Sequence, residues 1–291
     1  MSIRTDMVSE SLSLAQSAQS DVRLKGVKVT TETIEKARFE VTDILVEEES
    51  TAQRLGKPCG RYITLKALDS AFDMYSDCIY ERADVIAEKL RELSGNAGRV
   101  LVAGLGNDSI TPDAVGPLAA DRVFATRHIK SLGTEIDTEG LADMTVIKTG
   151  VLGQTGVESS EQIKLITELV KPDAVIAVDA LACSDMENLG RSVQLCDTGI
   201  SPGSGVENAR KELSEATLGV KCIAVGVPTV VDLNTAAEHI FGMEAPDNSE
   251  NIMVTPKSVD RLAENCARMI SLGINRAFHS SLSPEDIESL I

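Results

Sequence analysis

The sequence predicts an α/β protein: a doubly wound, mostly parallel sheet with helices on both faces, plus a small β-rich lobe near the N-terminus. Three observations predict it. First, RVLVAGLG (99–106), AVIAVDAL (174–181) and KCIAVGVP (221–228) are short, continuous apolar runs. Parallel strands covered on both faces read this way, because neither side needs to meet water. Second, amphipathic segments at about 113–124, 158–170 and 256–273 lie between or after these runs. Strands alternating with helices imply crossover connections over a parallel sheet. Third, VKVTTETI, RFEVTDILV and RYITLKAL, between Val27 and Leu68, alternate apolar and polar residues and are rich in β-branched side chains. That alternation marks strands with one covered and one open face.

Taken in order, residues 1–20 are polar and Ser-rich and read as a mobile arm, with a helical turn near Leu12–Ala18. The three alternating strands make a β-rich insertion at about 24–68, with Gly56-Lys57-Pro58-Cys59-Gly60 as a turn before the third. Over 79–94, Ile79, Ala83, Ile86, Ala87, Leu90 and Leu93 recur at helical spacing on one face, and Gly95 is placed to end the helix. TVIKTGV (145–151) reads as a fourth core strand. At 291 residues the chain is long for one domain and short for two, so residues 7–291 are expected to form a single α/β domain with that insertion.

Composition narrows the function. The formal net charge is −17, which argues against a nucleic-acid surface, since neutralising phosphates needs a basic stripe. The six cysteines form no CxxC pair and no metal-ligand spacing, and read as reduced thiols. The N-terminus lacks an apolar signal region, and no apolar run reaches the roughly 18 residues of a membrane span. The aromatic content is only 3%, so the core must be aliphatic.

In doubly wound folds, reacting groups collect beyond the C-terminal ends of the strands. Four stretches meet that condition: GLGNDSITPDAVGP (104–117), TGVLGQTG (149–156), VDALACSD (178–185) and VGVPTVVD (225–232). The first has Gly104 and Gly106 but Ser109 where a dinucleotide fingerprint needs a third glycine. Thr111 and Pro112 are suited to start a helix, which puts Asp113 in its first turn, either as a simple helix-start acid or as a reacting group. Asp179 ends a buried apolar run, where a carboxylate is costly unless it is used, paired or capping a turn. Two carboxylates from neighbouring strand ends can share a water and divide the roles of acid and base. Asp197-Thr198-Gly199 matches the triplet of pepsin-type proteases, but those are β proteins, so it reads as a loop. Ser201-Pro202-Gly203-Ser204-Gly205 reads as a turn-rich loop on the substrate side. A Cys183 thiol paired with His128 or His239, and a metal held by Asp113, Asp179 and a histidine, remain open as alternatives.

The runs LVAGLGNDSITPDAVGPLAADRVFATRH, VDALACSD, QLCDTGISPGSGVENAR, VGVPTVVDLNTA and NIMVTPKSVD closely resemble the germination protease of endospore-forming bacteria. The resemblance spans Arg4 to about His279. It implies a phosphorylase/hydrolase-like fold related to the hydrogenase maturation proteases, and an acid-type endopeptidase acting on small acid-soluble spore proteins. It carries the catalytic pair to Asp113 and Asp179, with Asn107, Thr111, Thr198 and Ser204 as candidate supporting residues. It also implies a homotetramer made as a self-processing zymogen in the forespore or spore core, with no cofactor, metal, direct nucleic-acid or membrane partner. Arg4-Thr5-Asp6-Met7 has the shape of a family cleavage site, so residues 1–6 are expected to be a propeptide cut between Asp6 and Met7. Met7 stands where leucine is usual, and Thr149 where proline often stands. The runner-up is a metal-dependent maturation peptidase on the same fold.

Overall fold

A computed structural model describes residues 5–17, 24–131, 138–201, 211–241 and 252–290. The N-terminal part contains α1 (Val8–Ser17), β1 (Val27–Ile34), β2 (Phe39–Val46), α2 (Glu49–Leu55), β3 (Gly60–Ala67) and α3 (Ile79–Ser94). Then come β4 (Arg99–Leu105), a single 3-10 turn (Thr111–Asp113), α4 (Val115–Ala120), α5 (Arg127–Ser131) and β5 (Asp143–Gly150). They are followed by α6 (Leu152–Thr155), α7 (Ser159–Val170), β6 (Ala174–Cys183), β7 (Ser192–Cys196) and α8 (Glu215–Leu218). The chain closes with β8 (Lys221–Asp232), α9 (Leu233–Phe241), β9 (Met253–Val254), α10 (Val259–Phe278) and α11 (Pro284–Leu290).

Among the described residues, nine strands form one sheet in the order β1-β2-β3-β7-β8-β6-β4-β5, with β9 paired to β8. The run β8-β6-β4-β5 is parallel. The run β1-β2-β3-β7-β8 is antiparallel. The β-rich N-terminal segment therefore joins the main sheet through β3 and β7 instead of standing apart from it. The apolar character of β4, β6 and β8 follows from their central places, where both faces are covered.

Alternation along β6 shows how the faces are filled. Ala174, Ile176 and Val178 pack with Val85, Ile86 and Leu90 of α3 and Ala263, Ala267 and Ile270 of α10. Val175 and Ala177 face the other way, onto Ile163 of α7 and Leu213. Farther along that second face, Leu181 and Cys183 meet Met7 of the N-terminal arm. Over the antiparallel half, Val8 and Leu12 of α1 and Ala52 and Leu55 of α2 cover Ile44, Val46 and Tyr62. α3 ends where Gly95, at φ +68°, turns its N–H back to the Arg91 carbonyl. The charged side chain of Arg82, 2% exposed, lies over the Phe39 and Phe72 rings and is neutralised by Asp69.

Several expectations change. The arm is not mobile over its described part: Thr5 to Ser17 is docked, with Met7 and Val8 fully buried and α1 starting at Val8. The helix expected over 113–124 is a 3-10 turn followed by the short α4, because the loop must fold back onto the end of β4. Thr111 is not its cap; Ile110 holds that position without a side-chain bond. The Gly56–Gly60 turn is preceded by α2, whose left-handed end is Gly56.

Candidate active site

β4 stops at Leu105, while β6 continues to Cys183. Their pairing runs up to Gly104 beside Val178, so Asp179 begins the stretch of β6 that has outrun its neighbour. The segment 107–116 folds back against that step, and two glycines allow the approach. At Gly106, φ is +107°, and an added Cβ would fall 2.1 Å from the Asp113 carbonyl oxygen. At Gly116, an added Cβ would fall 2.2 Å from the Leu105 carbonyl oxygen and 2.4 Å from that of Val178. The returned turn is fastened at both sides. The Asn107 N–H donates to Asp113 Oδ2 at 2.7 Å, and the Thr229 hydroxyl of β8 donates to the Pro112 carbonyl at 2.7 Å. The turn thus runs on from the end of β4 to a bond with β8, and β6, the strand that carries Asp179, lies between those two strands in the sheet.

Asp179 is 4% exposed, and its Oδ1 accepts the Ala180 N–H at 2.9 Å. Its register partner in β8 is Gly226, whose partner in β7 is Gln194. Residues level across a sheet point to the same face, so Asp179 and Gln194 share one, with a glycine between them. Leu181 leans into the space above Gly226, where a Cβ would strike its Cγ at 2.5 Å.

The supporting candidates separate. Asn107 is at the site through its N–H, and its Oδ1 accepts from Ser109 N–H at 3.0 Å and Gln154 Nε2 at 2.6 Å. Thr111 lies in the 3-10 turn and is exposed. Thr198 is not brought to this edge. β7 ends at Cys196, level with Ala224 and Ala177, and Thr198 lies beyond, against Gly60. Ser204 lies outside the described residues. Asp197-Thr198-Gly199 is a structural loop: Asp197 Oδ1 accepts the Arg61 N–H at 2.8 Å, and the Gly199 carbonyl accepts from the Cys196 thiol. Cys183 is buried and bonded to the Val230 carbonyl, and burial pushes its thiol pKa up, the reverse of an activated nucleophile.

The site also has a neighbour that sequence patterning did not reveal. Asp6 N–H donates to the Ala182 carbonyl, and the Ala182 N–H donates to Asp6 Oδ2, each at 2.9 Å. Lys57 Nζ donates to the Thr5 and Asp6 carbonyls at 3.1 Å, and Gln194 Nε2 donates to the Asp6 carbonyl at 3.1 Å. Gln194 Oε1 also accepts the Val8 N–H at 2.8 Å. Farther on, the Glu10 carboxylate accepts from the Thr5 hydroxyl, the Ser184 N–H and hydroxyl, the Asp185 N–H and Asn188 Nδ2. Asp6 and Met7 are thus placed three residues along β6 from Asp179, a rise of roughly 10 Å. Lys57 was legible only as a turn residue. Gln194 carried no signal in the sequence.

The profile of the family described as germination protease matches residues 4–243. The germination protease of Clostridium tetani is 36% identical, with 100% of each chain covered. The chain belongs to the germination protease family. A second member, from Caldanaerobacter subterraneus, is 34% identical over 100% of this chain and 98% of its own. That of Bacillus licheniformis is 31% identical over 98% and 95%. Among solved structures, a NiFe hydrogenase maturation protease from Thermococcus kodakarensis matches at 20% identity and a TM-score of 0.38, covering 64% of this chain and 99% of that one. Family membership makes the protein a protease of spore germination. No helix among the described residues is long and apolar enough to cross a membrane.

Proposed function

We propose that this protease is an aspartic-type endopeptidase in which Asp113 and Asp179 activate water, and that it acts on small acid-soluble spore proteins in the forespore or spore core. The observation that carries the reading is the step where β6 outruns β4. Asp179 is buried there in an apolar strand, and the turn holding Asp113 runs on from the end of β4 to a hydrogen bond with Thr229 of β8, the strand on the other side of β6. In the reaction, one carboxylate is ionised and takes a proton from water as its oxygen attacks the peptide carbonyl. The other is protonated and hydrogen-bonds the carbonyl oxygen as negative charge develops. Collapse of the tetrahedral adduct breaks the C–N bond, and the departing nitrogen leaves with a proton from the pair. Coupled acids titrate together, so the roles belong to the pair.

The same reading makes the chain a zymogen that cuts itself between Asp6 and Met7 and assembles as a homotetramer. Its support is that the expected scissile carbonyl is held by Lys57 and Gln194 on the side of the sheet that Asp179 faces. Among the described residues, no group of three or more His, Cys, Asp or Glu is arranged to hold a metal ion.

Asp113→Asn and Asp179→Asn test the proposal. Each is expected to lower hydrolysis of a purified small acid-soluble spore protein by on the order of 10²–10⁴-fold, followed by fragment mass. Near-normal activity in either variant removes the acid pair. N-terminal sequencing of the matured protein is expected to begin at Met7, and an intact Met1 after activation removes the self-processing step.

A further inference from the structure

Two of the four strand-end stretches, TGVLGQTG and VGVPTVVD, supply neither carboxylate of the acid pair, yet each reaches the loop that carries Asp113. The first does so through Gln154, an exposed side chain that donates to Asn107 Oδ1. The second does so through Thr229, which is fully buried. A hydrogen bond away from water is electrostatically stronger than one that water can replace, so Thr229 is the firmer of the two ties.

Thr229 is placed by a bulge. Leu181 pairs with Pro228 and Ala182 with Val230, which leaves Thr229 as an extra residue in β8. The extra residue turns the alternation over. Val225 and Val227 pack under α3 and α10, whereas Val231, four positions after Val227, packs with Cys183 and Met7 on the opposite face. Pro228 suits the place, because a proline inside a sheet is tolerated at a bulge. A bulge re-aims a side chain and frees backbone groups from the ladder. Here the Thr229 carbonyl accepts the Thr255 hydroxyl at 2.8 Å, and the Thr229 hydroxyl donates to the Pro112 carbonyl at 2.7 Å.

That carbonyl belongs to the peptide unit joining Pro112 to Asp113. The N–H of the same unit donates to the Ile110 carbonyl at 2.8 Å. The planar unit is thus held at both ends, and its orientation sets the direction in which the Asp113 side chain leaves the backbone. We propose that Thr229 is a positioning residue: its hydroxyl, aimed by the β8 bulge, holds the Pro112–Asp113 peptide so that the Asp113 carboxylate meets the reacting water and peptide bond. The proposal rests on the acid-pair reading and extends it to a residue that acts only through Asp113.

The test measures kcat and KM on a purified small acid-soluble spore protein. Each variant is first matured to the parent's N-terminus and is assayed at a temperature where circular dichroism shows it folded. Thr229→Val keeps the shape and loses the hydroxyl. Its kcat is expected to fall about 10- to 100-fold, the cost of a misplaced reacting group, with KM within about threefold of the parent. Thr229→Ser keeps the donor, and its kcat is expected to stay within about threefold of the parent. Thr229→Ala differs from Thr229→Ser by the hydroxyl alone and is expected to fall with Thr229→Val, so this pair decides the matter even if Thr229→Val does not fold. A parent-like kcat in Thr229→Val or Thr229→Ala overturns the proposal. So does a loss in Thr229→Ser as large as that in Thr229→Ala, which would assign the effect to the missing methyl group. The two readings fail separately. Inactive Asp113→Asn beside parent-like Thr229→Val removes the positioning role alone, whereas near-normal activity in Asp113→Asn removes the acid pair whatever the Thr229 variants do.

Discussion

At the scale of single residues, the arm depends on Glu10. It is 6% exposed, and its hydrogen-bond donors among the described residues are neutral: two hydroxyls, two backbone N–H groups and one amide. A buried carboxylate is tolerable when its lone pairs are this fully used. Glu10→Ala leaves those donors facing an apolar methyl, which costs about 2–4 kcal/mol if the fold cannot relax. Urea denaturation is expected to show a lower midpoint. An unchanged midpoint would mean that water replaces the carboxylate without loss. The contrast with Asp113 and Asp179 shows what a sequence can disclose at this scale. Those two were singled out by position, one after a glycine turn and one at the end of an apolar run, although the same positions also suit a helix-start acid and a turn cap. Glu10 sits in a polar, Ser-rich segment, and its partners Ser184 and Asn188 are 174 and 178 positions away, so no local pattern could expose the contact.

At the scale of elements, the close approach of α4 to the sheet places Asp113. Gly116 lies against the carbonyls of Leu105 and Val178, which belong to neighbouring parallel strands. Gly116→Ala must push α4 away or separate the strands, because the obstacles are backbone atoms. Overpacking of this kind costs roughly 1–3 kcal/mol. The expected result is a lower Tm together with a fall in peptidase activity larger than the stability loss explains, since the displaced turn carries Asp113. Normal activity at a temperature where the variant is fully folded would show that the turn need not sit so close. The strongly patterned helices were legible because α3 and α7 keep one period over their whole length, whereas β1, which alternates in sequence, has no buried residue on either face. β7 was not legible, because SVQLC is five residues long and carries buried Ser192 and Gln194. Ser192 is satisfied by Asn188, and Gln194 by the arm. α2 was missed because seven residues give too little periodicity to read.

At the scale of the whole molecule, the C-terminal end of α10 closes the fold. His279 follows that helix, pairs by a β-bridge with Leu141, bonds through Nε2 to the Phe124 carbonyl at 3.0 Å and packs edge-on against the Phe124 ring. It is fully buried, and that desolvation, helped by nearby Lys130, outweighs the backbone bonds and holds its pKa below 6.5. The unfolded chain therefore takes up a proton that the folded chain resists. Stability from this group is complete above about pH 6.5 and is lost as pH falls through the lowered folded value. The favourable carboxylates act in a lower window. Burial of Glu92 opposes its charge, but its bonds to Lys89 and Arg61 prevail and its pKa lies below 4.5. Its contribution is thus present above that value and lost only as pH falls farther. His279 is then expected to contribute to the fall in Tm between pH 7 and 5. A His279→Gln variant keeps a donor for the Phe124 carbonyl but does not titrate. It is expected to start from a lower Tm at pH 8 and to show a shallower decline toward pH 5 in thermal melts followed by circular dichroism. Parallel declines in the two proteins would place the acid sensitivity elsewhere in the fold.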